Sequence, residues 1–228
     1  MSKLTNFVVC HDTVSLAHFV DNNKAFENEF TYIMCGKHHD KTAIERNKDI
    51  LVPNLYKFNI EEYNTLLTFT AWYFLAKNNI ITTDYVGIFE YDFVFRESLN
   101  NIKPHLSEFN NYLIAFETRV VDDLFINKVK DCLQLFKSKS EIDTVKLKEV
   151  IKSIFIWFPT TNFIMPTKFL YKFVEIYELL LPELLSIPNH PHFHERAISI
   201  VAEYNKYTIK CFPTFGKHYQ LNSHKISL

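Results

Sequence analysis

The sequence predicts an α/β fold, with a mostly parallel sheet flanked by helices. Two patterns point to it. Short apolar runs rich in Val, Ile, Phe and Tyr alternate with segments whose apolar residues recur at helical spacing. The 228 residues are also 47% apolar and 16% aromatic, enough to cover both faces of such a sheet and too apolar for a disordered chain. A third observation points beyond the fold. The oily run DYVGIFEYDFVF, residues 84–95, carries two acids one residue apart, Glu90 and Asp92.

The expected elements follow in order. Leu4 to Cys10 is a strand that ends at His11-Asp12, and Ser15 to Asn22 is a short helix. Phe30 to Cys35 is a second strand, stopped at Gly36-Lys37 and followed by a polar loop. Asn59 with Glu62 makes a capping pattern for a helix whose apolar face is Ile60, Tyr63, Leu67, Ala71, Phe74 and Leu75, ending near Asn78-Asn79. Tyr85 to Phe89 and Tyr112 to Phe116 are strands, and Asp122 to Phe136 and Glu141 to Phe155 are helices. Asn162 to Met165 is a short strand. Pro166 suits the first turn of a helix that runs to Leu181 and stops at Pro182. Glu195 to Tyr204 is a final helix and Tyr207 to Phe212 a final strand. The expected domain covers residues 1–215, with a polar, loosely held tail over 216–228.

Composition narrows the chemistry. Only Gly36, Gly87 and Gly216 are glycines, so no Gly-rich phosphate loop exists. The net charge of -1, with Lys and Arg scattered, argues against a nucleic-acid partner. Cys10, Cys35, Cys132 and Cys211 form no C-x-x-C pair and are expected to be reduced thiols. The chain opens without a signal-peptide pattern and has no apolar run of about 18 residues. The expectation is therefore a soluble, cytoplasmic protein with no membrane span.

Ligands of open α/β sheets sit beyond the carboxyl ends of the strands. The residues at those places are His11 and Asp12, Gly36 and Lys37, Glu90 to Asp92, and Glu117. Side chains at i and i+2 of an extended chain point the same way, so Glu90 and Asp92 would aim two carboxylates at one point. Hard cations such as Mg²⁺ and Mn²⁺ take such oxygen ligands and keep open positions for phosphates. A solvated strand end is the plain alternative. His11 and Asp12 are placed to touch a base or ribose, although Asp12 equally suits a helix cap. Lys37, with Arg46 and Lys48 near it, is placed to offset a diphosphate. His190, His192 and His194 form H-x-H-x-H, which an extended chain would turn toward one zinc ion. Pro191 within that run favours a solvated turn instead.

The acidic pair closes a central strand after a long helix, about 80 residues beyond Cys10. In this it resembles the D-x-D site of GT-A-type glycosyltransferases. DYVGIFEYDFVF is also similar to the D-Y-V-G-x-x-x-Y segment of short glycosyltransferase-like proteins of bacterial capsule clusters. TNFIMPTKFLYKFVEIYELLLPEL is similar to their later strand-helix segment, and HERAISIVAEYN to their E-R-containing helix. Small glycosyltransferase domains of large algal viruses are similar as well. The likeness covers under a third of the chain. It departs at Glu90-Tyr91-Asp92-Phe93, where the bacterial pattern has His-Tyr-Arg-Arg, and the first acid here is Glu rather than Asp.

The resemblance implies a GT-A-like, Rossmann-like single domain. It implies a sugar moved from a nucleotide-diphosphate donor to a hydroxyl of a glycan acceptor, with Mn²⁺ or Mg²⁺. Asp92 and Glu90 would hold the cation, and His218, with His224 as a substitute, would add a C-terminal ligand. Glu195 would orient or deprotonate the acceptor, unless it merely favours the helix dipole. Asp84 and Tyr91 fall in the matched segment beside the donor, and Tyr91 or Trp157 offers a platform for a sugar. Two other classes stay open, a zinc-dependent hydrolase built on the histidine run and a non-catalytic nucleotide-sugar-binding module.

Overall fold

A computed structural model of the chain describes residues 3–36, 50–63, 66, 68–121, 123, 127, 129, 134–136, 138–139, 141–154, 156–157, 161–186 and 193–218. The strands are β1 (Leu4–Cys10), β2 (Thr31–Met34), β3 (Ile50–Leu51), β4 (Tyr85–Glu90), β5 (Phe93–Phe95), β6 (Tyr112–Ala115), β7 (Arg119–Val120), β8 (Ile156–Trp157), β9 (Phe163–Pro166), β10 (Thr208–Cys211) and β11 (Gly216–His218). The helices, numbered among the described residues, are α1 (Thr13–Asn22), α2 (Phe69–Lys77), α3 (Thr144–Ser153), α4 (Thr167–Glu178), α5 (Leu181–Leu184) and α6 (Phe193–Tyr204).

Seven strands form one sheet in the order β10-β6-β9-β4-β1-β2-β3. β1 is parallel to both β2 and β4, β2 to β3, and β6 to β10. Only β9 runs against its neighbours in this sheet, between β4 and β6. The expected mostly parallel sheet is therefore present. From β1 the chain first builds outward through β2 and β3, then returns to place β4 on the other side. That reversal opens a crevice at the carboxyl ends of β1 and β4.

Alternation along the strands feeds two cores. On one face Phe7, Val9, Val86 and Ile88 pack with Phe69, Trp72 and Phe74 of α2, Phe169 and Phe173 of α4, and Ile198 of α6. On the other, Val8, Cys10 and Phe89 meet Phe19 of α1 and a ring cluster of Phe30, Phe93, Phe95 and Phe116. The ring centroids in this cluster stand 4.8 Å apart for Phe89–Phe95 and 5.6 Å for Phe89–Phe93. Each fully buried aromatic contributes about 1.5–3 kcal/mol by area alone. Both faces are thus locked close to the crevice, which rests on a rigid floor.

Four local expectations change. Asn59 starts no helix. Its Oδ1 accepts the Glu61 N–H at 3.4 Å and its Nδ2 reaches the Tyr56 carbonyl at 3.1 Å, closing an Asn-centred turn. Helix α2 begins only at Phe69, and Leu67 of the expected apolar face lies outside the described residues. Pro182 does not stop a helix but opens the short α5, where its missing N–H is no loss. β3 lies just past the polar loop, where no element was expected. Gly216–His218, expected to be loosely held, is a strand paired with β5. Most of the helix expected over 122–136 lies outside the described residues. Among the described residues, no helix is long and apolar enough to cross a membrane.

Candidate functional site at the carboxyl edge of the sheet

The wall after β1 is set by a helix start. Asp12 caps α1: its Oδ1 accepts the Ser15 N–H at 2.7 Å, and the Ser15 hydroxyl accepts the Asp12 N–H at 3.0 Å. The Ser15 N–H holds the Asp12 carboxyl below its ordinary pKa. Of the two roles the sequence left open for Asp12, the cap is the one its side chain performs here. His11 is exposed as a residue, but its ring is crowded. It meets the Tyr91 ring edge-on at 5.6 Å, and His18 approaches the same ring at 6.3 Å. Lost hydration lowers the His11 pKa, while the charges of Asp12 and Asp92 pull it back. His11, Tyr91 and Asp92 therefore stand together across the crevice.

Glu90 ends β4 on the face that carries Val86 and Ile88. Its Oε1 accepts the hydroxyl of buried Thr68 at 2.9 Å, and its N–H donates to the Asn162 Oδ1 at 2.7 Å. Thr68 caps α2 in position but not in chemistry, since its hydroxyl goes to Glu90 and not to a helix N–H. Burial, then the Asp92 charge, push the Glu90 carboxyl above its ordinary range, and the Glu195 charge adds to this. Hydrogen bonding from Thr161 and Thr68 pulls it partly back. Asp92 sits half-buried in the turn between β4 and β5.

That turn is clamped from the far end of the described chain. β11 pairs antiparallel with β5, Gly216 opposite Phe95 and His218 opposite Phe93. The His218 backbone thus stands one residue from Asp92 in register. A side chain at Gly216 would come within 2.4 Å of the Phe93 ring and 2.7 Å of the Val94 carbonyl, so only glycine allows this approach.

Glu195 lies in the first turn of α6 and is buried at 6% exposure. It pairs with Arg196 at 2.6 Å, and the Arg196 guanidinium lies 4.8 Å from the Trp157 ring centroid. Glu195 lies near enough for its charge, like that of Asp92, to act on Glu90. Sequence distance had separated them.

Other expected residues fall elsewhere. Asp84 precedes β4 and so lies at the opposite end of the sheet, where it accepts the Lys3 N–H at 3.0 Å and its carbonyl accepts the Thr167 N–H at 2.9 Å. It takes no part in the crevice. Trp157 is 1% exposed beneath Arg196 and offers no open face to a sugar. His194 is buried with its ring 5.6 Å from Trp72. Lys37, Arg46, Lys48, His190, His192 and His224 lie outside the described residues.

Five functional candidates were missed: Thr68, Thr161, Asn162, Arg196 and Glu61. All are polar yet 8% exposed or less. A threonine inside the apolar run LLTFTAWYF was the available signal for Thr68, shared with Thr70. Glu61 had none, because it was read as part of a helix.

Chemically, Asp92 and Glu90 offer the oxygen donors a hard divalent cation takes. Their mutual repulsion in a half-dry setting is what such a cation relieves. Glu195 takes a charge-assisted hydrogen bond from Arg196 at 2.6 Å.

No protein-family model and no curated protein matches the chain. Solved structures do. The apo structure of the bifunctional glycosyltransferase WbbM aligns with a TM-score of 0.63 at 12% identity, over 96% of this chain and 46% of that one. The fold is one that a glycosyltransferase uses. The chain spans less than half of WbbM's length. Two others align more loosely. The mannosyltransferase Ktr4p from S. cerevisiae has a TM-score of 0.46 at 12% identity, over 95% of this chain and 70% of that one. The galactosyltransferase LgtC, solved with donor and acceptor sugar analogs, has a TM-score of 0.42 at 15% identity, over 90% and 72%.

Proposed function

We propose that the chain transfers a sugar from a nucleotide-diphosphate donor to a hydroxyl of a sugar acceptor, aided by Mn²⁺ or Mg²⁺. One observation carries this reading: Glu90 and Asp92 stand at the carboxyl end of β4, with Glu195 near enough for its charge to act on Glu90, on a fold shared with a glycosyltransferase.

Asp92 and Glu90 would hold the cation, with His218 as a further ligand. The bound cation supplies Lewis-acid stabilisation of the departing diphosphate. Lys37, outside the described residues, is the chain's own positive charge for the same phosphates. His11 and Tyr91 line the donor side, with Asp12 fixing the turn that carries His11. Glu195 accepts the acceptor's hydroxyl proton while the new bond from that oxygen to the anomeric carbon forms. The bond from the anomeric carbon to the diphosphate oxygen breaks, and its electron pair leaves with the diphosphate. Arg196 holds the Glu195 carboxylate in place through their 2.6 Å contact.

The test is a thermal-shift panel of nucleoside diphosphates with and without Mn²⁺. Binding stabilises the fold by mass action. One nucleotide should raise Tm, metal should deepen the shift, and Asp92→Ala should weaken nucleotide binding on the order of 100-fold. Turnover with the matching sugar donor then separates an enzyme from a binding module. A panel without any metal-dependent shift sinks the reading.

A further inference from the structure

Glu61 is a buried carboxylate to which the transfer steps assign no task. It is 4% exposed and reaches the carboxyl edge of the sheet from the turn between β3 and α2. Its Oε2 accepts the Gly36 N–H at 2.6 Å, and the Cys35 thiol donates to the same carboxylate. Gly36 adopts φ +116°, and a side chain there would stand 3.3 Å from the His11 carbonyl. The Cys35 N–H in turn donates to the Cys10 carbonyl at 2.8 Å. So the segments leaving β1 and β2 converge on Glu61, next to the crevice.

The second carboxylate oxygen is different. Oε1 is buried and has no hydrogen-bond partner among the described residues. The bond to Gly36 needs only one oxygen, and leaving the other buried without a partner costs the fold free energy. Burial pushes the Glu61 carboxyl above its ordinary range, and the Gly36 and Cys35 hydrogen bonds pull it partly back. An acceptor kept dry, with no partner among the described residues, at a ligand crevice is suited to a donor brought by the ligand.

We propose that Glu61 determines donor specificity, its Oε1 accepting one hydrogen bond from the nucleoside of the donor nucleotide. This inference rests on the nucleotide-sugar reading above. The recognised group is a single N–H or O–H donor, from two sources. One is the ring N–H of uracil or guanine, which cytosine and adenine lack. The other is a ribose hydroxyl. Because Oε1 is sealed from water, the donor arrives with a small displacement of the side chains over it.

The experiment titrates the full chain with Mn²⁺ and UDP, GDP, CDP, ADP or 2′-deoxy-UDP by calorimetry, for the parent and Glu61→Gln. The variant keeps a carbonyl for Gly36 and presents an NH₂ where the second oxygen stood, so a donor now faces a donor. A base source gives the parent at least a 10-fold preference for UDP or GDP over CDP and ADP. A ribose source gives a similar preference for UDP over its deoxy form. Either preference should collapse by at least 10-fold in Glu61→Gln with Tm preserved. The inference is overturned if parent and variant share one profile, or if the variant weakens all five nucleotides equally. Both outcomes leave nucleotide binding itself intact. A parent that binds none of the five overturns the nucleotide reading and this inference with it.

Discussion

The two ends of β4 carry the same chemistry under different conditions. Asp84, at the amino end, is exposed and takes a backbone N–H from Lys3. Glu90, six residues on, is packed among Thr68, Asn162, Asp92 and Glu195, where burial and like charge oppose its ionisation. One acid tethers the sheet's edge to the chain that precedes β1. The other sits where its surroundings disfavour its charge. Acids kept in such surroundings mark functional sites more often than stable folds, and in parallel sheets the carboxyl end is where they belong.

Substitutions can break or sharpen this contrast. The largest effect is expected at the partner of the strained end. Glu195→Gln should lower kcat about 10²–10⁴-fold while leaving nucleotide affinity within twofold, as steady-state kinetics and calorimetry on one preparation would show. Equal loss in both would make Glu195 a binding group. Thr68→Val comes next. It deletes a hydrogen bond to a charged group, costing roughly 1.5–3 kcal/mol wherever Glu90 must be ionised. Metal affinity measured by Mn²⁺ EPR should fall in Thr68→Val and recover in Thr68→Ser.

Glu90→Gln should act in the opposite sense on stability. The folded carboxyl has a raised pKa, so the folded state holds its proton longer than the unfolded one. Stability is fully present below the ordinary glutamate value near 4.5 and falls as pH rises through it toward the folded value. The variant removes that slope. Its Tm advantage should be absent at pH 4 and reach roughly 2–4 °C at pH 7, while function is lost. The smallest effect belongs to the relaxed end. Asp84→Asn keeps an acceptor for Lys3 and should shift stability by about 0.5 kcal/mol or less in urea melts. A large loss there would erase the contrast.

Much of this was legible in the residues. The alternation of runs such as LTNFVVC and YVGIFE with helical spacing disclosed the sheet, because burial on both faces leaves a continuous apolar signature. Glu90 and Asp92 stood out since acids are rare in such runs. What stayed hidden was convergence. Nothing in spacing says that Thr68 surrenders its capping role to Glu90, or that Arg196 covers Trp157. Those facts are set by packing between elements far apart in sequence. Asn59 misled because a cap and a turn use the same side-chain oxygen, and only the following backbone decides between them. Asp84 misled because a matched segment can carry a residue to the far end of its strand.

The narrow ribbon of Gly216–His218 on Phe93–Phe95 has a practical corollary. The hinge bearing Asp92 is anchored by residues more than a hundred positions downstream, so an affinity handle or a deletion that intrudes on this ribbon would tug on the acids from a distance. Protein made for any of these assays should leave that latch untouched, or a silent preparation will be mistaken for an inactive one.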